Sequence, residues 1–210
     1  MQTFLRYGVI LSFFTSLISL AILILKTFSF GKRAFYAEPQ GKGRKGILYA
    51  FTRGMMPWEK ESARKHLMTY IAGVFYHSGI FSAMLYIFSL VVPFNINIYF
   101  IYLLRILMGI GIVCGLGLLL KRIFLPFMSK ISCLDDYAAN ILVDIALILA
   151  FAVTFNQNIR TLLFLVTIFL LLYLPLGKIR HCFFFFYTRI LFGVFFGRRG
   201  VLPQKRFLKF

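Results

Sequence analysis

Five apolar runs, each near the roughly 20 residues a helix needs to cross a bilayer, constrain this chain before any motif does. They occupy about 7–25, 67–92, 98–120, 137–155 and 160–189. With 60% of its 210 residues hydrophobic, the chain cannot be a soluble core. The expected fold is an all-α integral membrane bundle of five transmembrane helices forming a single membrane domain. The first run has little basic flank before it and no small-residue cleavage site after it, only Gly31-Lys-Arg33, so it reads as a retained span.

Orientation follows from where the cations sit. The connection 29–66 holds nine of them: Lys32, Arg33, Lys42, Arg44, Lys45, Arg53, Lys60, Arg64 and Lys65. Lys121, Arg122 and Lys130 follow the third run, and eight more basic residues lie from Lys178 onward. The opposite flanks have only Arg6, Arg105 and Arg160. By the positive-inside rule the basic loop 29–66 and the tail 190–210 are cytoplasmic and the N-terminus is outside. The basic segments lack any DNA- or RNA-binding motif, so nucleic acid is not an expected partner, whereas membrane lipid is. Gly41, Gly43 and Gly46 predict a flexible first half of the loop; Ile47–Phe51 and Met55–Trp58 suit the membrane surface or a docked partner. Trp58 fits an interfacial aromatic.

Three further features set local expectations. Gly111 and Gly115 form a G-x-x-x-G in a glycine-rich third run, which favours close helix packing. Asp135 or Asp136 suits the start of the fourth helix, where a carboxylate meets the positive end of the dipole. Pro175 can only kink the fifth run, which is read as continuing past His181 to about Arg189. Cys114, Cys133 and Cys182 are too dispersed for a zinc site, an iron–sulfur cluster or c-type haem attachment.

The histidines carry the chemistry. His77 lies well inside the second run, a costly placement that calls for a partner or a ligand. His66 stands at that run's mouth, and His181 lies in the fifth. A bis-imidazole haem bridging two helices needs histidines at one depth. At 1.5 Å per residue, His77 is about 15 Å from the inner end of its run, and His181 about 12 Å if the fifth helix ends near Arg189. His66 pairs with His181 only if that helix stops near Lys178. Helix-packing histidines with no ligand are the remaining reading. Arg64 and Lys65 at the mouth, with Lys178 and Arg180 before His181, suit haem propionates or simple snorkelling. Arg105 and Asp144 are charges within spans, which pair with each other or line a quinone or proton route.

Tyr76-His-Ser-Gly-Ile80, Cys114-Gly-Leu-Gly-Leu-Leu-Leu-Lys-Arg122 and Leu174-Pro-Leu-Gly-Lys-Ile-Arg-His181 resemble segments of the cytochrome b (gamma) subunit of respiratory nitrate reductase. They are similar also to the haem b subunits of heterodisulfide reductase and of the dissimilatory sulfite reductase complex. The resemblance implies a five-helix subunit of the cytoplasmic membrane. Such a subunit moves electrons between quinone and a cytoplasmic iron–sulfur partner, leaving substrate chemistry to other subunits. It implies one haem b near the cytoplasm, ligated by His77 and His181. The family's second histidine pair is replaced here by the apolar Tyr86-Ile-Phe88 region and Leu163, and His66 has no counterpart. The rival readings are a haem-free anchor for a soluble complex and a small transporter using Arg105 and Asp144, the latter without an internal repeat to support it.

Overall fold

The computed structural model describes residues 1–30, 37–92, 94 and 96–202. Among these every regular element is helical: α1 (Gln2–Ser29), α2 (Gly43–Phe51), α3 (Glu61–Lys65), α4 (Leu67–Val91), α5 (Ile98–Phe124), α6 (Pro126–Ile131), α7 (Leu134–Val153), α8 (Arg160–Tyr173) and α9 (His181–Arg198), with single 3-10 turns between some of them. Five helical stretches are long and apolar enough to cross a membrane: α1, α4, α5, α7 and Lys178–Arg198, which contains α9. The protein is a multi-pass, all-helical membrane protein. Its contacts divide it into two compact units.

The first unit, Met1–Ile22 with Met68–Ile179, holds most of α1 and α4 together with α5, α7 and α8. Its core lies along stripes at helical spacing: Tyr76, Gly79, Ala83 and Tyr86 on α4, Leu104, Met108, Gly111 and Gly115 on α5, Leu147, Ala150 and Val153 on α7, and Leu163 on α8. Leu5 and Val9 of α1 close on Phe164. α4 and α5 touch backbone to backbone: a Cβ on Gly79 would stand 2.7 Å from the Gly111 Cα. Lys121 reaches back to the Thr69 hydroxyl.

The expected continuous helix 160–189 is instead two helices separated by residues 174–180. Pro175 lacks an N–H and its ring opposes the carbonyl one turn back, which ends the ladder. The Leu176 and Gly177 amides both turn back to the Tyr173 carbonyl, and Asp135 at the start of α7 accepts the Lys178 N–H at 3.0 Å and the Tyr173 hydroxyl. A membrane helix tolerates proline when the freed groups find partners. Here the Asp135 carboxylate accepts the Lys178 N–H that the break frees, so the kink becomes a turn. The described part of the tail correspondingly begins after Arg198, not at 190.

The second unit, Leu23–Leu67 with the residues from Arg180 onward, corrects a further expectation. The glycines of the loop do not loosen it. Gly46 lies against Gly193 and Gly197 so closely that a Cβ on it would enter the Gly193 carbonyl. Gly41 meets Gly200, and Phe51 stacks on Phe186, so α2 runs antiparallel along α9. Close approach, not flexibility, is what these glycines supply. Residues 31–36 and 203–210, with Lys32, Arg33, Lys205, Arg206 and Lys209 among them, lie outside the described residues.

Candidate functional site

α4 has two faces. Tyr76, Gly79, Ala83 and Tyr86 form its buried stripe, and His77 stands on the other, exposed side. The stripe dictates this placement, because a residue next to Tyr76 is turned by about 100° away from it. The His77 Nδ1 lies 2.7 Å from the Gly73 carbonyl one turn earlier on its own helix. With a proton on Nδ1 donated there, the ring is fixed and Nε2 is left as the basic nitrogen. A side chain at Gly73 would meet nothing within 4 Å. An imidazole oriented in this way could hold a haem iron through Nε2.

His181 is the first residue of α9, in the second unit, and is exposed. His66 closes α3 immediately before α4, also exposed and also in the second unit. The depth match between His77 and His181 presupposes a fifth helix running on to Arg189, and α8 ends at Tyr173. Among the described residues no three of His, Cys, Asp and Glu gather as a metal cluster. A bis-histidine haem does not require one.

Of the residues expected at haem propionates, Lys178 already pairs with Asp136 at 2.6 Å, and Asp136 also takes Arg122 at 3.0 Å. Lys65 pairs with Glu61 at 2.7 Å. Arg64 and Arg180 are exposed, on α3 and just before α9.

Arg105 and Asp144 do not pair. The Arg105 Nε donates to the Thr154 hydroxyl at 2.9 Å, its Nη2 to the Thr154 carbonyl, and its guanidinium lies 4.2 Å from the centre of the Phe155 ring. Thr154 ends α7, so Arg105 satisfies one of the carbonyl groups that the helix end leaves open. Asp144, about 15 Å away along α7, is buried to 4% exposure. Its Oδ2 accepts from Asn140 at 2.8 Å, and Asn140 also reaches the Tyr76 hydroxyl at 3.3 Å. The Asp144 Oδ1 is buried with no hydrogen-bond partner among the described residues. Tyr76 and Asn140 escaped the sequence reading. The signal for Asn140 was its place four residues before an intramembrane acid; for Tyr76 there was only adjacency to His77.

No known protein family, curated protein or solved structure matches the chain.

Proposed function

We propose that this chain is the haem b-bearing membrane subunit of a quinone-linked respiratory complex. On this reading it lies in the cytoplasmic membrane with its N-terminus outside and its C-terminus inside, and passes electrons between the quinone pool and a cytoplasmic iron–sulfur partner. The observation that supports it is His77: an imidazole on the exposed face of a membrane span, its Nδ1 held by the Gly73 carbonyl. A lone polar ring on such a face has a cost that a ligand at Nε2 removes. A bis-imidazole haem b, when bound, supplies one-electron transfer at a potential set by its ligands and surroundings. The chain's own part is to orient His77 through Gly73, to offer His181 as the second ligand, and to place Arg64 and Arg180 for propionates. Of the two charges proposed for a quinone or proton route, Asp144 is the stronger candidate, because Arg105 is held at the end of α7 by Thr154.

One observation favours a second ligand pair. Since α8 stops at Tyr173, His66 satisfies the condition for pairing with His181, and both belong to the second unit. Reduced-minus-oxidised spectra of the protein expressed with adequate haem decide between them. A b-type signal lost in His77→Ala and His181→Ala but kept in His66→Ala is the expected result. Loss in His66→Ala with retention in His77→Ala assigns the second pair. No signal in the parent protein sinks the haem reading and leaves the haem-free anchor.

A further inference from the structure

The helix α9 is long and apolar enough to cross a bilayer, yet what is packed along it does not belong in hydrocarbon. The backbone amides of Gln40 and Gly41 donate to the Arg198 carbonyl at 2.8 and 2.9 Å, which puts that end of the loop at the C-terminus of α9. α2 then runs back along α9 until Phe51 stacks on Phe186. Beyond α2 the chain makes two 3-10 turns, Arg53–Met55 and Pro57–Glu59, broken by the extended Met56 and Lys60, and Thr52, Arg53, Met56 and Trp58 are exposed. Lys60 comes near enough to Arg189, halfway along α9, for the two cations to repel.

If α9 crossed the membrane, this companion segment would cross with it. Lys60 and Arg189, midway along α9, would lie at bilayer depth, together with the backbone breaks between the 3-10 turns that follow α2. Hydrocarbon accepts neither, because no water is there to satisfy the freed N–H and C=O groups. α8 is the better fifth crossing. With the turn before it, the stretch Gln157–Tyr173 reaches about 25 Å, within the range of a spanning helix, and Leu163 and Phe164 are fully buried in the first unit.

We propose that α2 and α9 form a paired hairpin lying in the headgroup layer of an anionic leaflet, on the side where α8 ends, and that its partner is acidic phospholipid. Leu48, Trp58, Phe186 and Leu191 are half-exposed or more and supply the apolar side of such an interfacial element. Lys42, Arg44 and Lys45, with no acid anywhere in α2, supply the phosphate-facing charge. The covalent links favour lipid over a diffusing partner: α1 runs into this unit without a break, α4 leaves it directly after His66, and α8 ends a short turn before it. The hairpin does not require haem, but it bears on the ligands. An α9 in the headgroup layer puts His181 at the membrane surface, which suits pairing with His66 at the mouth of α4 better than pairing with His77, about 15 Å into that helix.

The test uses the full chain with its three cysteines replaced by serine and single cysteines placed at Leu176 or Val201, both exposed. A membrane-impermeant maleimide in sealed vesicles of known orientation should label both from the same side. Labelling from opposite sides means that α9 crosses and overturns the proposal. Trp58, the single tryptophan, then reports the partner in nanodiscs. Brominated phosphatidylglycerol should quench it more than equally deep brominated phosphatidylcholine, and the preference should vanish in the Lys42→Gln, Arg44→Gln, Lys45→Gln variant. Equal quenching overturns the acidic-lipid preference. No quenching overturns lipid as the partner and assigns the face to a soluble protein.

Discussion

The α4–α5 seam and the α2–α9 seam use the same device in unlike sequences. In the first, Gly79 lies against Gly111 between two long apolar helices. In the second, Gly46 lies against Gly193 and Gly197 between an apolar helix and a nine-residue helix with three basic residues at or beside its start. Both bring backbones to within a distance that no Cβ tolerates. The difference teaches that small-residue spacing reports close approach and not membrane depth: apolar flanks identify the first seam as a membrane contact, while Lys60 and Arg189 midway along α9 argue against it for the second.

The sharpest way to break the comparison is to fill one seam at a time. Gly46→Val should cost about 3 kcal/mol, at the upper end of overpacking effects, because the intruding atoms meet the Gly193 carbonyl and the Gly197 backbone. Denaturant unfolding in detergent reads the loss, and brief trypsin treatment should newly cut at Arg44 and Lys45. A variant that keeps the parent's stability and digestion pattern would show that the α2–α9 seam is not close-packed. Gly79→Ala should cost about 2 kcal/mol by separating α4 from α5, without exposing the trypsin sites. The two losses should add, since the substitutions lie in different units.

A smaller effect tests the break after α8. Asp135→Asn weakens acceptance from the Lys178 amide and the Tyr173 hydroxyl, and should cost about 1 kcal/mol, with faster hydrogen exchange at the Lys178 amide and no change at α2.

The smallest is a pH effect confined to the second unit. Burial, and then the nearby Arg189 guanidinium, holds the Lys60 ammonium below its ordinary 10.5. The unfolded chain therefore binds this proton more readily than the folded one, so stability rises with pH between the folded and unfolded values. The penalty is full below the folded pKa and disappears as pH climbs past 10.5. Lys60→Met should raise the melting temperature at pH 8, and its advantage should shrink steadily toward pH 10.5; an advantage that stays constant would rule out the titration.

The sequence revealed five spans through hydropathy alone, because desolvation of backbone leaves helices of that length little alternative. The bounds of the fifth were misplaced for a tertiary reason. Pro175 announces a kink, but converting it to a turn depends on Asp135, which is distant in the chain and visible only once α7 and α8 are side by side. α2 was illegible because a glycine-rich, basic segment has poor helix propensity by itself and becomes helical against α9. At the site, His77 stood out as a polar ring in an apolar run. The role of Arg105 did not, because the helix end it closes lies 49 residues away.

Asp135 and Asp136 together touch the ends of three helices: Asp136 bonds the Cys133 amide at the start of its own helix and pairs with Arg122 in the last turn of α5, while Asp135 and Asp136 both hold Lys178 beyond α8. This dipeptide acts as a length gauge. Adding one residue to α8 would turn everything after it by about 100° and shift it by about 1.5 Å, pulling Lys178 off both carboxylates at once. Single-residue insertions and deletions between Tyr137 and Tyr173 should therefore be selected against even in lipid-facing positions where substitutions are harmless, and tolerated changes of length should come as compensating pairs.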